Sequence, residues 1–193
     1  GTHTLAVGLC YLAGKNTVRE AMEEPALEEF ISNLMLQELG PAIPYDVAPE
    51  VYIPYGNQVL DRFRNPAIRH QLIDITVQYT AKMKMRNIPT LLEHYKHSNV
   101  APAHFAKGFA AFLIFMKAVE QRDGVFYGKR GEELYPIRCD AAAYFYEKWQ
   151  QAGDHVETLV NTVISDNNLW GTDLSALPGF GSSVIAEASA FTR

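Results

Sequence analysis

The 193-residue chain holds only two cysteines, Cys10 and Cys139. They cannot form a disulfide framework, and no CxxC pair marks a structural zinc site, so two free thiols in a reducing, cytoplasmic setting are expected. Long apolar runs are also missing. The longest, Phe109 to Met116, is less than half of what a bilayer span needs, so no membrane association is expected. The opening residues carry no basic stretch and no cleavage signature, so no secretory leader is read. Positive charge is scarce, with 17 Lys and Arg against 22 Asp and Glu, a net charge of −5 and a pI near 5.7. Nucleic acid and anionic lipid both reward a basic surface, so neither is expected as a partner.

Several chemical signatures are absent as well. There is no HExxH, no Gly-x-Ser-x-Gly elbow and no cysteine in a nucleophile signature. Glu93, His94 and His97 fall within one helical turn, but no further ligand accompanies them, so a solvated helix end is expected and no metal. Gly179-Phe-Gly181-Ser-Ser183 precedes a helix without a strand leading into it. It reads as a loop and cap, and no dinucleotide is bound by the usual strand–glycine–helix route.

What remains is a helical chain. At 48% hydrophobic and 20% charged residues it folds, and its length suits one domain spanning residues 1–193. Leu5, Leu9 and Leu12 recur at helical spacing before Gly14. Thr17-Val-Arg-Glu20 is a capping box in which Glu20 reaches back to the cap amide. Leu27, Phe30, Ile31, Leu34 and Met35 trace a stripe from Pro25 to Gly40-Pro41. A helix over Pro49–Phe63 is expected to break at Pro54 and Gly56. Ile68, Leu72, Ile75 and Tyr79 predict a strong helix after Asn65-Pro66, followed by an irregular stretch over Lys84–Ile88 and a short helix over Leu91–His97. His104–Gln121 predicts the most apolar, central helix. Residues 122–139 are expected to form a non-helical excursion that has room for a short hairpin. Asp140 and Asp154 then cap two more helices, a loop carries Leu169-Trp170-Gly171, and a last helix covers Ser182–Phe191. The class is all-α, a multi-helix domain with that one excursion.

The densest polar region is Arg62-Phe-Arg64-Asn65-Pro66-Ala-Ile-Arg69-His70, with Lys82, Lys84 and Arg86 following. On composition it is either a solvated basic face or an anion pocket, since cations held on irregular backbone before Pro89 suit anion binding. The order and spacing of Arg62-Phe-x-Asn65-Pro66-x-Ile68 and then Lys82 resemble the helical C-terminal domain of the long-chain mannitol dehydrogenase family, polyol and uronate oxidoreductases. The opening Gly1-Thr2-His3-Thr4 resembles the end of that family's Lys-x-x-x-x-Asn-x-x-His motif, whose Asn and catalytic Lys would fall before Gly1. Within the family the uronate-reducing branch is most similar, tagaturonate reductases first and fructuronate reductases next, through the Arg62–Gln71 stretch, the Lys82–Pro89 run and Leu169-Trp-Gly…Leu177-Pro-Gly179. Mannitol-type members carry Arg eight residues before the Lys82 position, where this chain has Asp74.

The resemblance implies hydride transfer between NAD and a small sugar acid, without metal. NAD would be bound mainly by an N-terminal Rossmann domain of the same polypeptide, absent from this chain. It implies that His3 orients the reacting oxygen and that Lys82 binds substrate. A sugar acid also needs a cation for its carboxylate, for which Arg86, Lys84 and Arg69 are candidates. His70 is positioned in sequence to hydrogen-bond a hydroxyl, while Arg62 and Asn65 serve either the site or the local turn. A reading from another class, a non-catalytic helical binding or oligomerisation module, would use the excursion and Tyr144, Phe145 and Trp149 as a partner surface.

Overall fold

A computed structural model describes all residues, Gly1–Arg193. The chain is built around one phenylalanine-rich helix, α8. Before it come α1 (Thr2–Leu12), α2 (Val18–Glu23), α3 (Pro25–Asn33), a π-helical stretch (Leu34–Leu39), α4 (Pro49–Arg64), the short α5 (Leu72–Ile75) and α6 (Tyr79–Lys82), a second π-helical stretch (Met83–Asn87) and α7 (Ile88–His97). Then α8 (Ala103–Phe115) leads into three strands, β1 (Glu120–Arg122), β2 (Val125–Arg130) and β3 (Glu133–Pro136). The chain closes with α9 (Ala142–Ala152), α10 (Val156–Ile164), α11 (Asn167–Trp170), a 3₁₀ turn (Leu174–Ala176) and α12 (Phe180–Phe191). The elements are helical except in this excursion, which is a small antiparallel sheet in the order β1-β2-β3.

α8 is central because Phe105, Phe109, Phe112 and Phe115 recur at helical spacing and each is at most 1% exposed. It crosses α1 on one side and α12 on the other. Two glycines allow the first crossing. A Cβ at Gly108 would lie 2.6 Å from the Leu5 carbonyl oxygen, and one at Gly8 would lie 2.8 Å from the Tyr79 hydroxyl. That hydroxyl instead accepts the Gly8 amide at 3.0 Å, so a fully buried tyrosine has a polar partner. The first turn of α8 is capped from a distance. Glu38, on the first π-helical stretch, accepts the His104 amide at 2.8 Å and the Phe105 amide at 2.7 Å, two donors with no intrahelical partner.

The structure corrects several local expectations. α4 runs unbroken through Pro54: the bond lost there belongs to an exposed second turn, and Gly56, expected to interrupt the helix, serves close packing against Leu36. Residues 66–78 do not form one long helix. Gln78 adopts a left-handed backbone at φ 53°, α5 is a single turn, and Ile68 is 47% exposed while Leu72, Ile75 and Tyr79 are buried. Conversely, the stretch before Pro89 is not irregular. It stays helical by widening to π geometry, and Pro89 then sits in the first turn of α7, where its missing N–H costs nothing.

The caps differ too. Glu20 accepts the Asn16 amide rather than that of Thr17, although Thr17 caps α2 through the Glu20 amide. Asp140 accepts from Gln78 instead of capping α9, and Asp154 pairs with Lys117 instead of capping α10. Asp166 is the working cap, and it makes residues 167–170 a helical turn where a loop was expected.

Candidate active site

His3 lies in the first turn of α1, where three hollows converge. Its ring stacks on Phe63, with centroids 3.9 Å apart and planes 18° apart, and meets His70 edge-on at 5.4 Å. The sequence arranges this simply. Asn65-Pro66 stops α4, the Asn65 amide donating to the Arg62 carbonyl and the Asn65 side-chain oxygen accepting from Ala67 at 2.9 Å. The last turn of α4 therefore presents Arg62 and Phe63 toward α1. The returning chain is strapped to the α1–α2 turn, with Val18 donating to the His70 carbonyl at 3.0 Å and Leu72 donating to Asn16 at 2.8 Å.

Burial, with the His70 imidazole beside it, lowers the His3 pKa to about 4. The ring is thus neutral near pH 7 and carries one donor and one acceptor. Its Nε2 is buried without a partner, as are the Thr4 hydroxyl and the Asn87 side-chain oxygen. All three lie at the start of α1, where the Asn87 amide group holds the Gly1 carbonyl at 3.0 Å. Buried polar atoms are normally paired, and an unpaired set gathered in one place suits ligand binding.

The larger hollow, about 410 Å³, is bounded by the start of α1, the first π-helical stretch, α4 and Arg86 with Thr90. A second, about 220 Å³, is lined by Arg62, His70 and Ile68 and also borders His3 and Phe63. The remaining sequence candidates are spread more widely. Lys82 donates to the Ile75 carbonyl at 3.0 Å, and Ile75 shares the third, small apolar hollow with His3. Burial, with Arg86 nearby, lowers the Lys82 pKa. Lys84 is two residues away and runs toward Gly171 instead. Arg69 faces a separate hollow with Arg19, Glu20 and Glu23. Asn65 spends its oxygen on its own turn.

The candidate cations share one electrostatic feature, found also at Lys107 over Phe30 and at Lys148 beside Gln151. Arg62, Arg69, Lys82, Lys84 and Arg86 have no carboxylate within 4.0 Å. Their neighbour Arg64 pairs with both Glu28 and Asp61, and Asp74 is taken by Arg138 at 3.0 Å. Glu93 pairs with Lys96, and His94 meets the Val100 carbonyl at 2.7 Å. No group of three or more His, Cys, Asp or Glu side chains comes together as a metal donor set. Sequence reasoning passed over Phe63 and Thr90. Phe63 lies inside the Arg62-Phe-x-Asn65-Pro66 motif but brings no polar chemistry that would single it out, and Thr90 lies outside every motif.

The family model of the mannitol dehydrogenase C-terminal domain matches residues 1–191. The chain belongs to that family. As a mannitol dehydrogenase C-terminal domain it is similar to altronate oxidoreductases, at 33% identity to that of Cronobacter sakazakii over 98% of this chain and 38% of the relative. The Halalkalibacterium halodurans altronate oxidoreductase is 32% identical over 91% of this chain and 35% of the relative. The chain therefore spans little more than a third of the length of these curated relatives. Among solved structures, the fold matches the Pseudomonas fluorescens mannitol 2-dehydrogenase ternary complex with NAD and D-mannitol at a TM-score of 0.79 and 19% identity. That match covers all of this chain and 36% of the other. A D-sorbitol dehydrogenase in substrate-free form matches at 0.71 and 19%, again over all of this chain and 36% of the other. No helix is long and apolar enough to cross a membrane.

Proposed function

We propose that this domain is the substrate-binding half of an NAD-dependent tagaturonate reductase, interconverting D-tagaturonate and D-altronate in hexuronate breakdown. The observation that carries the reading is the His3 cleft, in which an unpartnered neutral imidazole shares one hollow with a cation that has no carboxylate of its own. The named relatives supply the sugar acid. NAD is the cofactor of the reading, but this chain offers no cradle for it: its only sheet is antiparallel, and no strand leads into a helix N-terminus through glycines. In this reading the dinucleotide is held mainly by an N-terminal domain of the same polypeptide, and the chemistry assigned here is confined to the substrate side.

Reducing a ketone places negative charge on its oxygen. A donor fixed in a dry pocket stabilises that charge without reorganising. Neutral His3 fits, since its Nε2 has no competing protein partner. Arg86 is the cation of the larger hollow and faces the substrate carboxylate. Lys82 joins it on the family resemblance, although its ammonium is held by the Ile75 carbonyl and lines none of the three hollows, and Arg62 and His70 line the second hollow, facing hydroxyls. Arg69 and Lys84, which face elsewhere, are left out.

The test is the full-length polypeptide with NADH and three ketones: tagaturonate, fructuronate and fructose. Highest kcat/KM on tagaturonate supports the reading. Preference for fructuronate moves the assignment to its sister reductase. Preference for fructose, a neutral ketone, defeats the sugar-acid reading and favours a mannitol-type polyol dehydrogenase, the class to which the matching solved structures belong.

A further inference from the structure

The one ring in direct face contact with His3 is Phe63, and nothing in the cleft's polar chemistry calls for it. It lies in the last turn of α4, a helix that buries only Gly56 and Leu60. It nevertheless borders all three hollows around His3. Asn65-Pro66 ends the helix two residues later with a side-chain turn, so the punctuation that the sequence shows as a motif sets where this ring stands.

We propose that Phe63 is a positioning residue for His3: the stacked phenyl face, with the His70 edge at the other contact, holds the imidazole in one plane and keeps water off one face, so that the ring hydrogen-bonds only through its edge. The inference rests on the reading of His3 as the group that meets the reacting oxygen. At a centroid separation of 3.9 Å no water fits between the rings, and rotation of the imidazole about its Cβ–Cγ bond would drive it into the phenyl face. The surroundings reinforce this. The titratable and charged side chains that share hollows with His3 are His70 and Arg62 in one, Arg86, Tyr52 and Tyr55 in another, and Cys10 in the third. No carboxylate lines any of the three hollows, and burial pushes the Cys10 thiol up to about 12. No carboxylate there stabilises an imidazolium, and the desolvation that burial against the phenyl face imposes outweighs the ring's weak attraction for a cation.

The experiment uses the full-length polypeptide with three variants, Phe63→Leu, Phe63→Tyr and His3→Gln. It reads turnover of tagaturonate and, by NMR of ¹³C-labelled histidine, the titration midpoint of His3 assigned by its absence in His3→Gln. Phe63→Leu is expected to lower kcat about tenfold with KM little changed and to move the His3 midpoint up by at least one pH unit toward the ordinary histidine range. Phe63→Tyr, which keeps the ring, is expected to restore both. The inference is overturned if Phe63→Leu leaves kcat and the midpoint where they were, or if the tyrosine variant falls as far as the leucine variant and both losses track the folded fraction by circular dichroism. Full activity in His3→Gln overturns the reading of His3 as well as this one. Loss in His3→Gln with none in Phe63→Leu overturns this one alone.

Discussion

The two ends of α1 are finished by opposite rules. At its C-terminal end, Arg130 from β2 lies over the Tyr11 ring at 4.1 Å and donates to the Tyr11 and Lys15 carbonyls, the Asn16 side chain and Glu133. Both terminal nitrogens of the guanidinium have two partners each, and the Tyr11 carbonyl at the helix end is among them. At the N-terminal end, Arg62 and Arg86 face hollows with no carboxylate beside them, and His3, Thr4 and Asn87 keep buried atoms unpaired. An arginine that closes its own network stabilises a fold. One left open, beside unsatisfied polar atoms, leaves interaction energy for something that arrives later.

This contrast makes its largest prediction at His3. In the full-length polypeptide, His3→Gln should reduce kcat on the sugar acid by about 10²–10³, while the melting temperature stays within a few degrees of the parent. A kcat loss matched by an equal loss of folded protein would place His3 with the structural end. Next comes Arg130→Met, with the opposite signature. It should cost roughly 2–3 kcal/mol in chemical denaturation, because buried carbonyls lose charged donors, with kcat per folded molecule unchanged. If Arg130→Met also lowered kcat selectively, the two ends of α1 would not be functionally separate.

Smaller effects are expected where the open cations meet the substrate. Arg86→Gln and Lys82→Ala should each lower kcat/KM for the sugar acid about ten- to a hundredfold, the worth of a charge-assisted hydrogen bond, and leave NADH affinity nearly intact. A neutral ketone should feel Arg86→Gln little. Arg69→Gln is the control, because that side chain faces a separate hollow. A loss there equal to that of Arg86→Gln would mean that the cations act only through the net field of the surface.

The same contrast explains what the sequence could and could not disclose. The α8 hub was legible because four phenylalanines at helical spacing admit one reading, and so was the excursion, where glycines and a tyrosine–proline pair break the period. The positions of His3, Arg62 and Lys82 along the chain were legible as a motif. What residues 66–88 do in space was not. Ile68 keeps the helical phase of Leu72, Ile75 and Tyr79 yet lies exposed, because the 66–71 segment is strapped to the turn after α1 rather than coiled. The wide turn at Met83–Asn87 has no sequence signature, and it is that turn which leaves Arg86 beside the cleft while Lys84 runs to Gly171. Phe63 was hidden for a related reason: an apolar residue beside a helix stop looks the same whether it fills the core or faces a ligand.

The smallest effect is a slope of stability against pH, and its sign follows from His3 alone. The folded state holds the imidazole near a pKa of about 4, below the ordinary histidine value of 6.5 that returns once the chain unfolds. Between those values the unfolded chain binds a proton that the folded chain refuses, so stability is complete above about pH 6.5 and falls as the pH drops toward 4. The shift itself sets a ceiling of about 3 kcal/mol. The ring is only partly buried and water relaxes such shifts, so about 1–2 kcal/mol is the expected size. Chemical denaturation of the full-length polypeptide at pH 7, 6, 5 and 4 gives the measurement, with His3→Gln as the reference that has nothing to titrate. The stability of the parent relative to this variant should fall steadily across that range. Parallel curves would mean that His3 is as open to water in the folded protein as in the unfolded one, and the contrast between the two ends of α1 would lose its electrostatic half.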